Sequence, residues 1–95
     1  MKKKVFTNED GVYAIKQYID GTHEGKLFFN AKMVTQYCTK LYKDIDKKEI
    51  HSVIKYCLDY LADKECLAKF DNHKYSQIKH LDYFVYEENE TINNL

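Results

Sequence analysis

Between residues 8 and 63 the apolar positions of this chain recur three and four apart, and after residue 66 they fall into short runs that partly alternate. The first spacing is that of one face of an α-helix, and the second that of a strand. Thr7 followed by Asp10 is a capping-box signal, and Val12, Ile15 and Ile19 then recur at helical intervals with Tyr18 beside them. A first helix is predicted over 8–20, stopped by Gly21, with Gly11 a modest cost in its opening turn. After a loop over 22–25, Leu27, Phe28 and Phe29 are too few for a helix and predict a short buried strand. Asn30 then caps a second helix whose apolar face is Val34, Tyr37, Cys38 and Leu41, and whose polar face is Lys32, Gln36, Thr39 and Lys40.

A three-residue turn over 43–45 leads to Asp46 and Glu49, a second capping signal that opens the strongest helix of the chain, running to about residue 63. Its apolar stripe is Ile50, Val53, Ile54, Cys57, Leu58 and Leu61, while Lys47, Lys48, His51, Ser52, Lys55 and Asp59 face the other way. Segments 66–70 and 75–79 flank the turn-forming residues 71–74 and predict a β-hairpin. Residues 81–86 are aromatic and fit either strand or helix, and 87–95 read as a flexible acidic tail. The expectation is one α+β domain over 1–95, mainly helical, with its core within about 8–80.

Composition narrows the class. The chain has 95 residues, 44% hydrophobic and 32% charged, which suits one globular domain and leaves no room for two ordinary ones. No run approaches the roughly 18 apolar residues of a membrane span, and the lysines at 2–4 are not followed by a secretory signal, so a cytoplasmic protein is expected, in the host cytoplasm if the chain is viral. Its leaning towards Lys, Asn, Ile and Tyr is that of AT-rich genomes, including many phages and plasmids. Cys38, Cys57 and Cys66 are odd in number and form no Cys-x-x-Cys pair, which argues against a zinc site or a disulfide framework and for small buried hydrophobes; a disulfide across a dimer is the alternative.

The formal charge is zero but unevenly spread, with eleven Lys against seven acids over 26–80 and four acids without a base over 81–95. A basic middle is compatible with a polyanionic partner. All fifteen basic residues are Lys, so any reading of base edges falls to Lys, Gln, Asn, Ser, Thr or His rather than to a guanidinium.

The order helix, short strand, helix, tight turn, longer helix, hairpin resembles the winged helix-turn-helix family of DNA-binding proteins over roughly 8–80. The resemblance is carried most by Ile50 to Leu61, the polar bend 62–65 and the hairpin 66–79; the bend and the hairpin tip lack the Gly and Arg that many relatives place there. It implies a small transcription regulator that binds double-stranded DNA, with the third helix in the major groove and the hairpin, or wing, on the backbone. Lys48 and Lys55 are then candidates for phosphates, His51, Ser52 and Lys47 for bases, and Tyr56 for a further phosphate. Lys32 and Gln36 on the second helix, and Lys69, His73 and Lys74 in the hairpin, complete the set; Lys2, Lys3 and Lys4 are a candidate basic arm. A homodimer is expected, because one such domain covers one half-site, with the apolar surface of Val12, Tyr13, Ile15, Tyr18 and Ile19 joined by Tyr83, Phe84, Val85 and Tyr86.

Catalysis is not indicated. The four His have no paired spacing with a carboxylate, no Gly-rich phosphate loop is present, and no metal, cofactor or small-molecule ligand is implied. The competing class is a protein-interaction module of the phage inhibitor or adaptor type on the same fold, favoured by nine Tyr and five Phe. Charge geometry separates the two readings, since DNA binding requires the lysines of 47–55 and 69–74 on one face.

Overall fold

A computed structural model describes residues 5–81 of the chain. The predicted basic arm at 2–4, the aromatic segment 83–86 and the acidic tail lie outside the described residues. The described part is a small α+β domain, mainly helical: α1 Asn8–Gly21, a 3-10 turn Glu24–Lys26, α2 Ala31–Thr39, α3 Lys47–Asp63, β1 Leu67–Lys69 and β2 Tyr75–Gln77. None of its helices is long and apolar enough to cross a membrane.

Each helix starts where a side chain satisfies its free backbone N–H groups. Thr7 Oγ1 accepts from Asp10 N at 3.0 Å while the Asp10 carboxylate accepts from Thr7 N at 3.0 Å, closing a reciprocal capping box. Asn30 caps α2 by accepting from Met33 N at 2.9 Å, and Asp46 caps α3 by accepting from Lys48 N at 3.2 Å. The second predicted box does not close reciprocally. Glu49 instead accepts from the backbone N of Phe6 at 3.4 Å, tying the chain before α1 to the start of α3.

α3 is the central element, with α1 and α2 both packed along it. Ile50, Ile54, Cys57, Leu58 and Leu61 are buried as the stripe predicts, Val53 is partly buried, and Tyr60 joins them in the core. Val12, Ile15, Tyr18 and Ile19 from α1 and Val34 and Cys38 from α2 fill the facing side. Leu41 departs from its expected place on the apolar face of α2 and is 54% exposed, because α2 ends at Thr39 and the helical period stops there. Cys38, Cys57 and Cys66 are free, buried thiols; burial pushes the first two up to about 12.

Two glycines permit close approaches. A Cβ on Gly11 would stand 2.6 Å from Cys57 Sγ and 3.0 Å from Val53 Cγ1, so α1 lies on α3 at a distance only a glycine allows. The apparent cost of Gly11 in the helix is thus the condition of the packing. Gly25 sits against the backbone of Tyr18 and Ile19, where a Cβ would collide, and its N donates to Thr22 Oγ1 at 2.9 Å. Lys26 Nζ then donates to the carbonyls of Ile19 and Asp20 at 3.1 and 2.9 Å, completing the C-terminus of α1 with a cation.

The predicted strand at 27–29 shrinks to one antiparallel bridge, Phe29 with Tyr75, whose two backbone bonds measure 3.0 and 2.7 Å. It attaches the hairpin to the segment before α2. β1 and β2 pair antiparallel with Leu67 opposite Gln77 and Lys69 opposite Tyr75. Glu65 and His73 take the left-handed conformation at φ 64° and 60°. At Glu65 the bonds from Cys66 N to Leu61 O and from Glu65 N to Ala62 O, 2.9 and 3.0 Å, make a Schellman cap in which glycine is the usual residue. At His73 the same geometry closes the three-residue hairpin loop.

Replacing Gly11 by Ala should destabilise the domain by about 1 to 3 kcal/mol through overpacking, although Ala is intrinsically the better helix former. Adding Cys57→Ala should recover part of that loss, because it removes the sulfur that the new methyl meets. Urea denaturation of the single and double variants checks both signs, and strict additivity would dissociate the two positions.

Candidate nucleic-acid interface

The exposed side of α3 meets two adjoining grooves. One, about 430 Å³, is lined by Lys32, Thr35, Lys47, Lys48, His51 and Ser52, between the first turns of α2 and α3. The other, about 220 Å³, runs from Asn30, Ala31 and Lys32 past His51 and Lys55 to Asn72, His73 and Tyr75 at the hairpin. Lys32 and His51 line both, so the grooves form one concave strip from the start of α3 to the hairpin tip. Among the described residues no carboxylate lines either groove.

The residues reach this strip for separate local reasons. Lys47, Lys48, His51, Ser52 and Lys55 are exposed because the opposite stripe of α3 is consumed by the core. Lys32 joins them from the first turn of α2, set by the Asn30 cap. His73 and Asn72 arrive from the hairpin loop, held in place by the Phe29 bridge. Among the described residues no carboxylate is paired with Lys32, Lys47, Lys48 or Lys55.

Four sequence candidates fall outside the strip. Gln36 lines a different groove with Tyr18, Thr22, Glu24, Met33, Tyr37 and Lys40, because it lies on the flank of α2 turned away from the start of α3. Tyr56 stacks on Tyr60 with ring centroids 6.3 Å apart, on the flank of α3 beyond Ser52. Lys74 is exposed at the hairpin but lines neither groove. Lys69 is bound up in a polar clamp: its Nζ lies 2.9 Å from Asp59 Oδ1, which also accepts from the Tyr75 hydroxyl at 2.5 Å. The expected single face therefore gathers Lys47, Lys48 and Lys55 with the hairpin tip, but not Lys69.

The clamp fixes the hairpin against α3. Burial by itself would raise the Asp59 pKa, but the bonds from Tyr75 and Lys69 and the charges of Lys69 and Lys55 overcome it and lower the pKa below 3.8. Burial and the Asp59 carboxylate together push the Tyr75 hydroxyl well above its ordinary range, so it stays a donor.

The sequence reading missed Asn30, Asn72 and Thr35. The first was legible only as a cap and the second only as a turn residue. Thr35 is 1% exposed, and its Oγ1 has no hydrogen-bond partner. Leaving such a hydroxyl unpaired costs about 1 to 3 kcal/mol. Thr7, Thr22 and Thr39 all use theirs: Thr7 as a cap, the others by donating to Tyr18 O and Gln36 O at 2.7 and 2.8 Å. No cluster of metal-ligating side chains occurs among the described residues.

Asp59→Asn should cost about 1 kcal/mol at pH 7, the value of a charged hydrogen bond discounted because Asp59 and Lys69 are each 43% exposed. The folded pKa of Asp59 is depressed, so its contribution is present above the unfolded value and lost as pH falls through the folded one. Urea titrations of both proteins from pH 7 down through the acid range should therefore converge; a gap independent of pH would exclude the carboxylate charge as its cause.

No protein-family model, curated protein or solved structure matches this chain.

Proposed function

We propose that this chain binds double-stranded DNA as a winged helix-turn-helix regulator of transcription, with α3 in the major groove and the β1 and β2 hairpin as the wing on the backbone. The observation that carries this reading is the carboxylate-free strip in which Lys32, Lys47, Lys48, His51, Ser52 and Lys55 run continuously into the hairpin tip at His73. A recognition helix needs one face for the core and the other for base edges and phosphates, and α3 divides in that way. The Phe29 bridge adds support, since it ties the segment before α2 to the hairpin in the order such a fold requires.

The contact set is narrower than the sequence suggests. Lys32, Lys47, Lys48, His51, Ser52, Lys55 and His73 are retained, and Asn72 and Asn30 are added from the groove. Lys48 and Lys55 serve phosphates, and His51 and Ser52 serve base edges.

Replacing Lys48 and Lys55 together by Ala should weaken binding to any duplex and reduce the slope of log affinity against log salt by roughly two. Lys40→Ala, on the separate groove with Gln36, is the control and should leave the slope unchanged. Fluorescence anisotropy with a random duplex over a salt series measures both. A double variant that binds like the parent protein would place the interface elsewhere.

A second reading has one specific observation in its favour. Phe28 and Phe70, 53% and 44% exposed, pack edge to face with centroids 5.3 Å apart beside the exposed Leu27. An exposed aromatic pair of this kind suits a protein partner. This interaction module is the alternative that takes over if duplex binding is absent.

A homodimer is proposed as the form that engages DNA, because two recognition helices are needed for a symmetric operator. It cannot draw on α1 as the sequence suggested: Val12, Ile15, Tyr18 and Ile19 are buried within the monomer, and only Tyr13 of that group is exposed, at 54%. Light scattering at micromolar concentration should give twice the 11.4 kDa of one chain, and the monomer mass would overturn the dimer.

A further inference from the structure

We propose that the outer face of the hairpin, built on Phe28 and Phe70, is a docking surface for the chain's own segment 82–87, which runs back along the hairpin from its base to its tip. This inference does not rest on duplex binding. It bears on the second reading above, because an aromatic pair that the chain itself covers is not offered to a partner.

The pairing of β1 with β2 sorts their residues onto two faces. Leu67 and Tyr75 are buried against the core, so Ala68 and its partner Ser76 lie on the opposite face, with Phe70 two residues beyond Ala68. Phe28 joins that face as the neighbour of the buried Phe29, whose backbone is bridged to Tyr75, and its ring lies 5.3 Å from that of Phe70. Ile78 is exposed at the hairpin base. Phe28, Phe70 and Ile78 are each about half exposed, which leaves roughly 300 Å² of apolar side chain open to water around two small residues.

That area selects the occupant. A second copy seated face to face would bury far less than the roughly 800 Å² per partner of a stable interface. One or two aromatic side chains, at about 150 to 250 Å² each, match it. The chain carries such side chains immediately downstream, since Leu81 is buried and Tyr83, Phe84, Val85 and Tyr86 follow it.

Charge sets the direction. The exposed Lys74 stands at the hairpin tip, where its carbonyl accepts from Phe70 N at 2.8 Å, and the exposed Lys79 stands at the base, where its N donates to Cys66 O at 3.1 Å. Asp82 and Glu87 bracket the aromatic residues of the segment and are five positions apart, as the two lysines are. Five steps of extended chain span about 17 Å. A segment that reverses after Leu81 therefore brings Asp82 beside Lys79 and Glu87 beside Lys74, with its aromatic residues over Phe28 and Phe70 between them.

The test is NMR of the isotope-labelled full chain at pH 7. NOEs should connect side chains of 83–86 with the rings of Phe28 and Phe70, and the amides of 83–86 should exchange at least about tenfold more slowly than in an unstructured chain. Replacing both Phe28 and Phe70 by Ser, at positions already exposed, should return those amides to the unstructured rate while the amides of α3 keep their protection. If the α3 amides lose theirs as well, the NOEs of the parent protein decide alone. Lys74→Glu should lower the protection of 83–86 by about twofold, and Lys74→Glu with Glu87→Lys should restore it. A sample mixing labelled and unlabelled chains separates the occupants: NOEs that arise between chains assign the face to a second copy's segment and overturn the proposal. It is equally overturned if 83–86 exchange at the unstructured rate in the parent protein, or if their protection survives the loss of both phenylalanines in a folded variant. A second charge reversal that restores nothing overturns the direction from base to tip.

Discussion

The seam between α1 and α3 is the contact on which the rest of this domain depends. At Gly11 the two helices come closer than any side chain would permit, and Cys57 Sγ donates to Asn8 O at 3.3 Å across the same seam. A buried thiol suits this position, since it is small, apolar and held protonated by burial, so it gives a weak donor without introducing a charge. With one side of α3 closed by α1 and another by α2, a face left to solvent carries Lys48, His51, Ser52 and Lys55, with exposed Tyr56 on its flank. The orientation of the proposed recognition surface is therefore a consequence of packing on its opposite side.

The hairpin is positioned by fewer and more local contacts. Its inner residues, Leu67 and Tyr75, are buried, but its direction is set by the Phe29 bridge on one side and by the Asp59 clamp on the other. Both anchors meet at Tyr75, which lends its backbone to Phe29 and its hydroxyl to Asp59. That arrangement brings the loop with Asn72 and His73 to the end of the α3 groove. It also removes Lys69 from the surface available to a ligand, because the lysine is spent on the clamp.

The helices were legible because their signals are local. Thr7 with Asp10, Asn30 and Asp46 mark starts by side-chain chemistry within four residues, and the stripe from Ile50 to Leu61 repeats often enough to define a face. What escaped depends on contacts distant in sequence or on strain. Gly11 reads as a helix defect until Cys57 stands opposite it, and Leu41 extends the apolar period of α2 by one step past the point where the helix stops. Glu65 and His73 adopt a conformation for which sequence offers no glycine, and surrounding hydrogen bonds impose it. In the candidate site, the α3 face was legible from periodicity alone, whereas Lys69, Tyr56 and Gln36 could be sorted out only by their neighbours in space.

A formal charge of zero conceals how the lysines are divided. Lys26 completes the end of α1, Lys69 pairs with Asp59, and Lys64 lies 5.7 Å over the Tyr60 ring, so each answers to a structural partner. Among the described residues Lys32, Lys47 and Lys48 have no such carboxylate, Lys55 acts on Asp59 by its charge without an ion pair, and all four line one strip. The concentration of uncommitted cations, not the total, determines whether a polyanion is attracted. Thr35 belongs to the same logic from the side of stability. Valine would fill its buried position without an unpaired hydroxyl, so the threonine carries an energetic cost that the fold itself does not require.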